Sequence, residues 1–171
     1  MHATSFTAVL LAFGLLAVPV LAARPSASSG TKLIDKFDDW QAVSFTEGGQ
    51  PGCYAFTRAT ASTPKLSGRG DVLLTVTHRA ASRDAVSISA GFPYAANATV
   101  SVLADPATLE FYTDKRSAFA RDGRAAVAAF QKAGQIVAKS PGPKNAAVSD
   151  SFSARGFNAA YAAINKACPA K

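Results

Sequence analysis

Beyond residue 38 the hydrophobic pattern has a period of two. Val72, Leu74 and Val76 alternate with Leu73, Thr75 and Thr77, and Val86, Ile88 and Ala90 alternate with Ser87 and Ser89. Val100 and Val102 flank Ser101, and Leu109 and Phe111 flank Glu110. Such runs are strands with one face on a core. Turn-forming clusters separate them at Gly48-Gly49-Gln50-Pro51-Gly52, Ser67-Gly68-Arg69-Gly70, Phe92-Pro93-Tyr94 and Asp105-Pro106. The spacing predicts a mainly β fold, an antiparallel β-sandwich or barrel. Two segments change period and predict short helices. The first runs from Asp122 to Ala133, with Asp122 as N-cap and Gly134 as the stop. A strand over Gln135–Lys139, a break at Ser140-Pro141-Gly142-Pro143 and a strand near Val148–Phe152 follow. The C-terminal helix carries Phe157, Ala160, Tyr161, Ile164 and Cys168 on one stripe.

The first residues read differently. Positions 8–22 are an uncharged apolar run, too short for a membrane-spanning helix of about 20 residues. The run ends in Val20-Leu21-Ala22, with small residues where a signal peptidase reads, which predicts cleavage between Ala22 and Ala23. Residues 1–22 are therefore expected to be a signal peptide. Residues 23–37, opening on a Pro/Ser/Gly-rich stretch, are expected to be a flexible segment, and 38–171 a single β-rich domain. Export agrees with the cysteine count. The two cysteines, Cys53 and Cys168, both lie in the mature part and are expected to form a disulfide. After residue 22 the only imidazole is His78 and there is no C-x-x-C, so the usual zinc ligand sets cannot be assembled.

An ordered set of residues runs through the mature chain: Trp40-Gln41-Ala42-Val43, Cys53-Tyr54-Ala55, Leu74-Thr75-Val76-Thr77-His78-Arg79, Val86-Ser87, Gly91-Phe92-Pro93, Arg155-Gly156-Phe157 and Ala167-Cys168. In this order the chain resembles the invasion-associated locus B family of exported alphaproteobacterial proteins, over about Trp40 to Cys168. Phe119 stands where that family usually has a tryptophan, and Ala154 where a leucine often precedes the Gly-Phe pair. The resemblance implies a periplasmic or secreted β-rich domain, named after a role in host-cell invasion, with no catalytic residues and no cofactor.

Charge adds a partner class. Lys and Arg number 18 against 11 Asp and Glu, a net +7. The densest basic stretch is Lys115, Arg116, Arg121 and Arg124, which is a candidate site for an anionic envelope or host-surface partner. Nucleic acid is not expected, because no basic and aromatic stripe or nucleic-acid motif occurs. Arg69-Gly70-Asp71 is the tripeptide that integrins read, placed in a Gly-rich turn where exposure is expected, although turn chemistry explains it without a receptor. His78, at the end of an apolar strand face, is a catalytic base only if a serine and a carboxylate meet it. The reading is therefore a noncatalytic exported binding protein. The alternatives are an exported hydrolase using His78 and a small-ligand carrier with an apolar cavity inside the β structure.

Overall fold

The structure, a computed structural model, describes residues 30–170; the expected signal peptide and the expected cleavage between Ala22 and Ala23 lie outside them. Eleven strands and two helices follow one another along the chain. The strands are β1 (Thr31–Phe37), β2 (Trp40–Glu47), β3 (Gln50–Arg58), β4 (Ala61–Thr63), β5 (Leu73–Arg79), β6 (Ser82–Ser89), β7 (Thr99–Ala104), β8 (Ala107–Asp114), β9 (Ser117–Ala120), β10 (Gln135–Pro141) and β11 (Ala147–Ser153). Helix α1 (Gly123–Phe130) lies between β9 and β10, and α2 (Phe157–Ala167) closes the chain. All strands pair antiparallel in one sheet of order β1-β2-β3-β5-β6-β9-β8-β7-β10-β11-β4. The ladder is not closed, but it curls strongly. Between β3 and β4, Ala59 N–H donates to Val72 O at 2.9 Å on one side and Thr60 N–H to Ser151 O at 2.8 Å on the other. The two ends of the curl thus meet at a two-residue corner.

The expected alternation decides which face is inside. Ala42, Ala55, Val76 and Val86 are cross-strand neighbours on the inner face, and all are buried. Gln41, Phe56, Thr75, Ser87, Phe119 and Tyr112 form the matching outer row. The interior is filled with side chains. Trp40, Phe111, Phe130, Phe152, Phe157, Ile136 and Ile164 belong to one buried cluster. The alanines at inner strand positions leave room for the large rings.

Helix α2 lies against β1, β2 and β3. Its stripe is the one expected: Phe157, Ala160 and Ile164 are buried, and Tyr161 and Cys168 pack against the cluster. The Phe157 ring lies tilted against Trp40, centroids 4.8 Å apart, and the Trp40 indole Nε1 donates to Ser153 O at 2.9 Å and ties β2 to the end of β11. Gly156 starts the helix at φ 85°, and a side chain there would collide with the Phe37 carbonyl. Only glycine combines that backbone with that approach. Cys53 and Cys168 are joined, with Cα atoms 6.0 Å apart, across a sequence separation of 115 residues.

Three expectations change. Residues 31–37 of the segment expected to be flexible form strand β1, because β2 offers a full backbone ladder from Thr31↔Phe45 to Phe37↔Trp40. Six of its seven side chains are exposed, so no buried face gave the sequence an alternating signal. A register shift between Leu33 and Asp35, with Lys32 and Lys36 beside it, blunts this edge against further pairing. Helix α1 has Asp122 as its N-cap, the carboxylate accepting from Ala125 N–H at 2.9 Å, but it ends at Phe130 rather than at Gly134. Strand β10 continues through Ser140 and Pro141, paired with Val148 and Ala147, so the break falls at Gly142–Asn145.

Replacing both cysteines by alanine is expected to lower the unfolding free energy by about 2–5 kcal/mol, because the bond closes a long loop that the unfolded chain would otherwise explore. Denaturant titration of oxidised, reduced and alanine-substituted protein checks this.

Candidate functional site

The most elaborate polar arrangement lies where α2 ends over β5 and β6. Strand register breaks here. Thr77 pairs with Ala85 and Arg79 with Ser82, so the single residue His78 faces two, Arg83 and Asp84. This is a β-bulge, and Asp84 adopts φ 54°, a left-handed conformation that aspartate tolerates better than most residues. The bulge gives neighbouring residues separate tasks. Asp84 Oδ1 accepts from His78 Nε2 at 3.0 Å and from the Tyr161 hydroxyl at 2.7 Å. Arg83 donates to Cys168 O at 2.7 Å and to Asn165 Oδ1, holding the carbonyl end of α2. Gly123 makes room for this corner, since a side chain there would strike the Asp84 carbonyl.

His78 is fully buried. It is the cross-strand neighbour of the disulfide-bonded Cys53 and lies edge-on to Tyr161 at 5.5 Å. Its Nε2 is engaged by Asp84, and its buried Nδ1 has no partner. Burial pulls its pKa below the ordinary 6.5, aided by the Arg83 charge and opposed by the bond and charge of Asp84. The imidazole is thus held neutral, with the proton on Nε2. Tyr161 is pushed up, chiefly by burial and then by Asp84. Among the described residues no serine hydroxyl meets either nitrogen of His78.

Outside this network a cleft of about 470 Å³ opens next to the disulfide. Arg79, Arg83 and Arg124 line it together with Ser82, Ala81 and Pro169, and among the described residues no carboxylate does. Arg79 is held by Glu47 at 2.8 Å, with its guanidinium over the Phe45 ring.

The basic residues named from the sequence do not form one cluster. Lys115 and Arg116 sit at the start of β9, while Arg121 and Arg124 lie beyond its end, about 17 Å away along an extended strand. Arg116 donates to Gly91 O and Arg121 pairs with Glu110 at 2.6 Å, so both are engaged. Lys115 stays exposed in the β8–β9 turn, and Arg124 forms no ion pair among the described residues.

The Arg-Gly-Asp tripeptide is not presented. Arg69 is buried, forked onto Asp150 at 2.8 and 2.7 Å, and its Nε donates to Ala90 O at 2.7 Å. Ser62 also donates to Asp150, at 2.6 Å, and the Phe92 ring lies under the guanidinium. Nearby Tyr94 is pushed up to about 12, first by burial and then by Asp150, against the bond with Ser140. Sequence reasoning missed this pair and missed Tyr161; for His78 it offers Asp71 and Asp84 as neighbouring carboxylates without pairing either, and the structure selects Asp84. The one local sign was the polar Asp150 among the inward positions of a strand.

Among the described residues no group of His, Cys, Asp and Glu is arranged to hold a metal ion, and no helix is long and apolar enough to cross a membrane. Comparison with known protein families, curated proteins and solved structures finds no match.

Two outcomes follow from these networks. The unfolded chain takes up a proton on His78 near pH 6.5 and the folded chain resists it. Stability is therefore full above that pH and declines as pH falls through it, until the folded imidazole itself protonates. Unfolding curves across this range should show the decline, and His78→Gln should flatten it. Separately, Arg69→Ala strands a buried carboxylate and should destabilise by about 3–5 kcal/mol. Arg58→Ala, which opens the exposed Arg58–Asp71 pair, should cost less than about 1 kcal/mol.

Proposed function

We propose that the chain is a noncatalytic exported protein of the invasion-associated locus B type, which binds an anionic macromolecular surface of the bacterial envelope or of a host cell. The observation that carries this reading is a division between the two kinds of cation. Arginine makes the salt bridges: Arg58, Arg69, Arg79, Arg121 and Arg155 each pair with an acidic side chain. Every described lysine, from Lys32 to Lys166, is exposed and outside any ion pair. Five of the eleven acids, Asp38, Glu47, Asp71, Glu110 and Asp150, are taken up by arginine, and the charge of the described lysines stands on exposed side chains in water. That arrangement attracts extended negative surfaces without demanding a fixed geometry.

Three further points support the reading. The disulfide is of a kind that persists in an oxidising compartment, which fits export. The hydrolase alternative needs a nucleophile at His78, and Asp84 occupies the reachable nitrogen there. The carrier alternative needs an apolar hollow, and the large rings of the core occupy the space within the sheet.

The test is binding to vesicles of anionic phospholipid over a range of salt. Binding should weaken steeply from low to physiological ionic strength, where the screening length falls to about 8 Å. Lys115→Gln should weaken it by up to about fivefold, the factor set by roughly 1 kcal/mol per cation at a charged surface. Binding that ignores salt overturns the reading, and so does a hydrolytic activity that disappears in His78→Ala.

A further inference from the structure

We propose that the cleft beside the Cys53–Cys168 bond is a specific site for the phosphate group of a phosphomonoester. This goes beyond attraction by exposed lysines, since it requires fixed donors in a defined place. The donors are Arg83 and Arg124, with Arg79 at the rim.

The charge in the cleft points to a dianion. Arg79 is matched by Glu47. Arg83 donates to neutral oxygens, Cys168 O and Asn165 Oδ1, and forms no ion pair among the described residues. Arg124 has no acidic partner among the described residues. Two guanidinium groups outside any ion pair therefore line one cleft, and none of its described lining residues carries a carboxylate. A phosphomonoester carries roughly −1.5 to −2 at neutral pH, which matches them, whereas a carboxylate would leave one unanswered.

Geometry supports the same class. Guanidinium groups offer planar forks that fit tetrahedral oxyanions in a bidentate manner. Arg83 has five N–H donors and uses two on the end of α2, so others remain for a ligand while the side chain is already fixed. That fixation comes from the bulge opposite His78 and from the disulfide that anchors Cys168. Ser82 adds a hydroxyl, and Ala81 and Pro169 give small apolar walls for a compact neutral body behind the phosphate. The volume of about 470 Å³ lies in the range of small-molecule sites.

The experiment uses the whole exported chain and two phosphate sources. Glycerol phosphate, titrated calorimetrically at low salt, should bind saturably at one site. Arg124→Gln, a change on an exposed position in the first turn of α1, should weaken this binding at least tenfold. Glu47→Gln should strengthen it by releasing Arg79. Lys115→Gln should leave it unchanged, although the same variant weakens vesicle binding if the surface reading holds. Vesicles with and without phosphatidic acid distinguish the sources. A phosphatidic-acid effect lost in Arg124→Gln assigns the site to a lipid headgroup. Saturable glycerol phosphate binding, with vesicle binding indifferent to Arg124, assigns it to a free phosphomonoester. Absence of saturable binding to either source, or equal binding by the parent and Arg124→Gln, overturns the proposal, whatever the fate of the lysine-based attraction.

Discussion

The docking of α2 onto the curled sheet is the constraint on which the rest depends. Without it Trp40 loses Phe157, His78 loses the Tyr161 ring, and the inner face of β2, β3 and β5 meets water. An 11-residue helix has little stability of its own, so tertiary contacts must hold it. It is fixed at both ends by unlike means. At its start Gly156 lets the backbone come down on the β1–β2 turn, and Phe157 enters the core. At its end Cys168 is bonded to Cys53, and Arg83 holds the last carbonyl. A helix pinned at only one end could pivot; pinned at both, it defines where Tyr161 stands over Asp84.

Arginine and lysine divide the work of positive charge according to their chemistry. The planar guanidinium can be buried if its fork is met, and Arg69 on Asp150 with Phe92 beneath shows the full set of contacts. The pair joins the loop before β5 to β11 across 81 residues, at the corner where the sheet turns back on itself. A lysine could carry the same charge but not the two parallel bonds. Lysine ammonium groups are more strongly hydrated, and in this protein they remain in water.

The pattern legible in the sequence was the one written in buried side chains. Val72 to Val76, Val86 to Ala90 and the stripe from Phe157 to Cys168 each declare a face, and each lies where that face predicts. Strand β1 was illegible because it contributes backbone hydrogen bonds and almost no burial. Arg69 read as a turn residue in an exposed tripeptide because its partner lies 81 residues away. Asp84 could be named as a carboxylate near His78 but not told from Asp71. Its role depends on a bulge, and a bulge arises from the register between two strands, which no local window contains. The Lys115–Arg124 stretch looked like one basic patch because sequence distance is short there, while an extended β9 spreads its ends apart.

The bulge also explains why one corner has two different electrostatic characters. In a regular antiparallel strand Arg83 and Asp84 would face opposite sides of the sheet, one to the core and one to solvent, and neither could be turned toward the end of α2. Doubling the residues opposite His78 lets both reach α2: the carboxylate meets the imidazole and the Tyr161 phenol, and the guanidinium meets Asn165 and the Cys168 carbonyl beside the cleft. The left-handed backbone at Asp84 is unfavourable in isolation, and it persists because packing on both sides fixes it, with Gly123 pressed against its carbonyl. A histidine–aspartate bond alone does not require this conformation, since a regular strand pair can place such groups across a ladder. What the bulge adds is a second side chain turned toward α2: Asp84 bonds to buried donors within the fold, and Arg83 bonds to the end of α2 and lines the cleft. The placement of Arg83 at the cleft is thus a product of strand register, held by the disulfide-bonded end of α2.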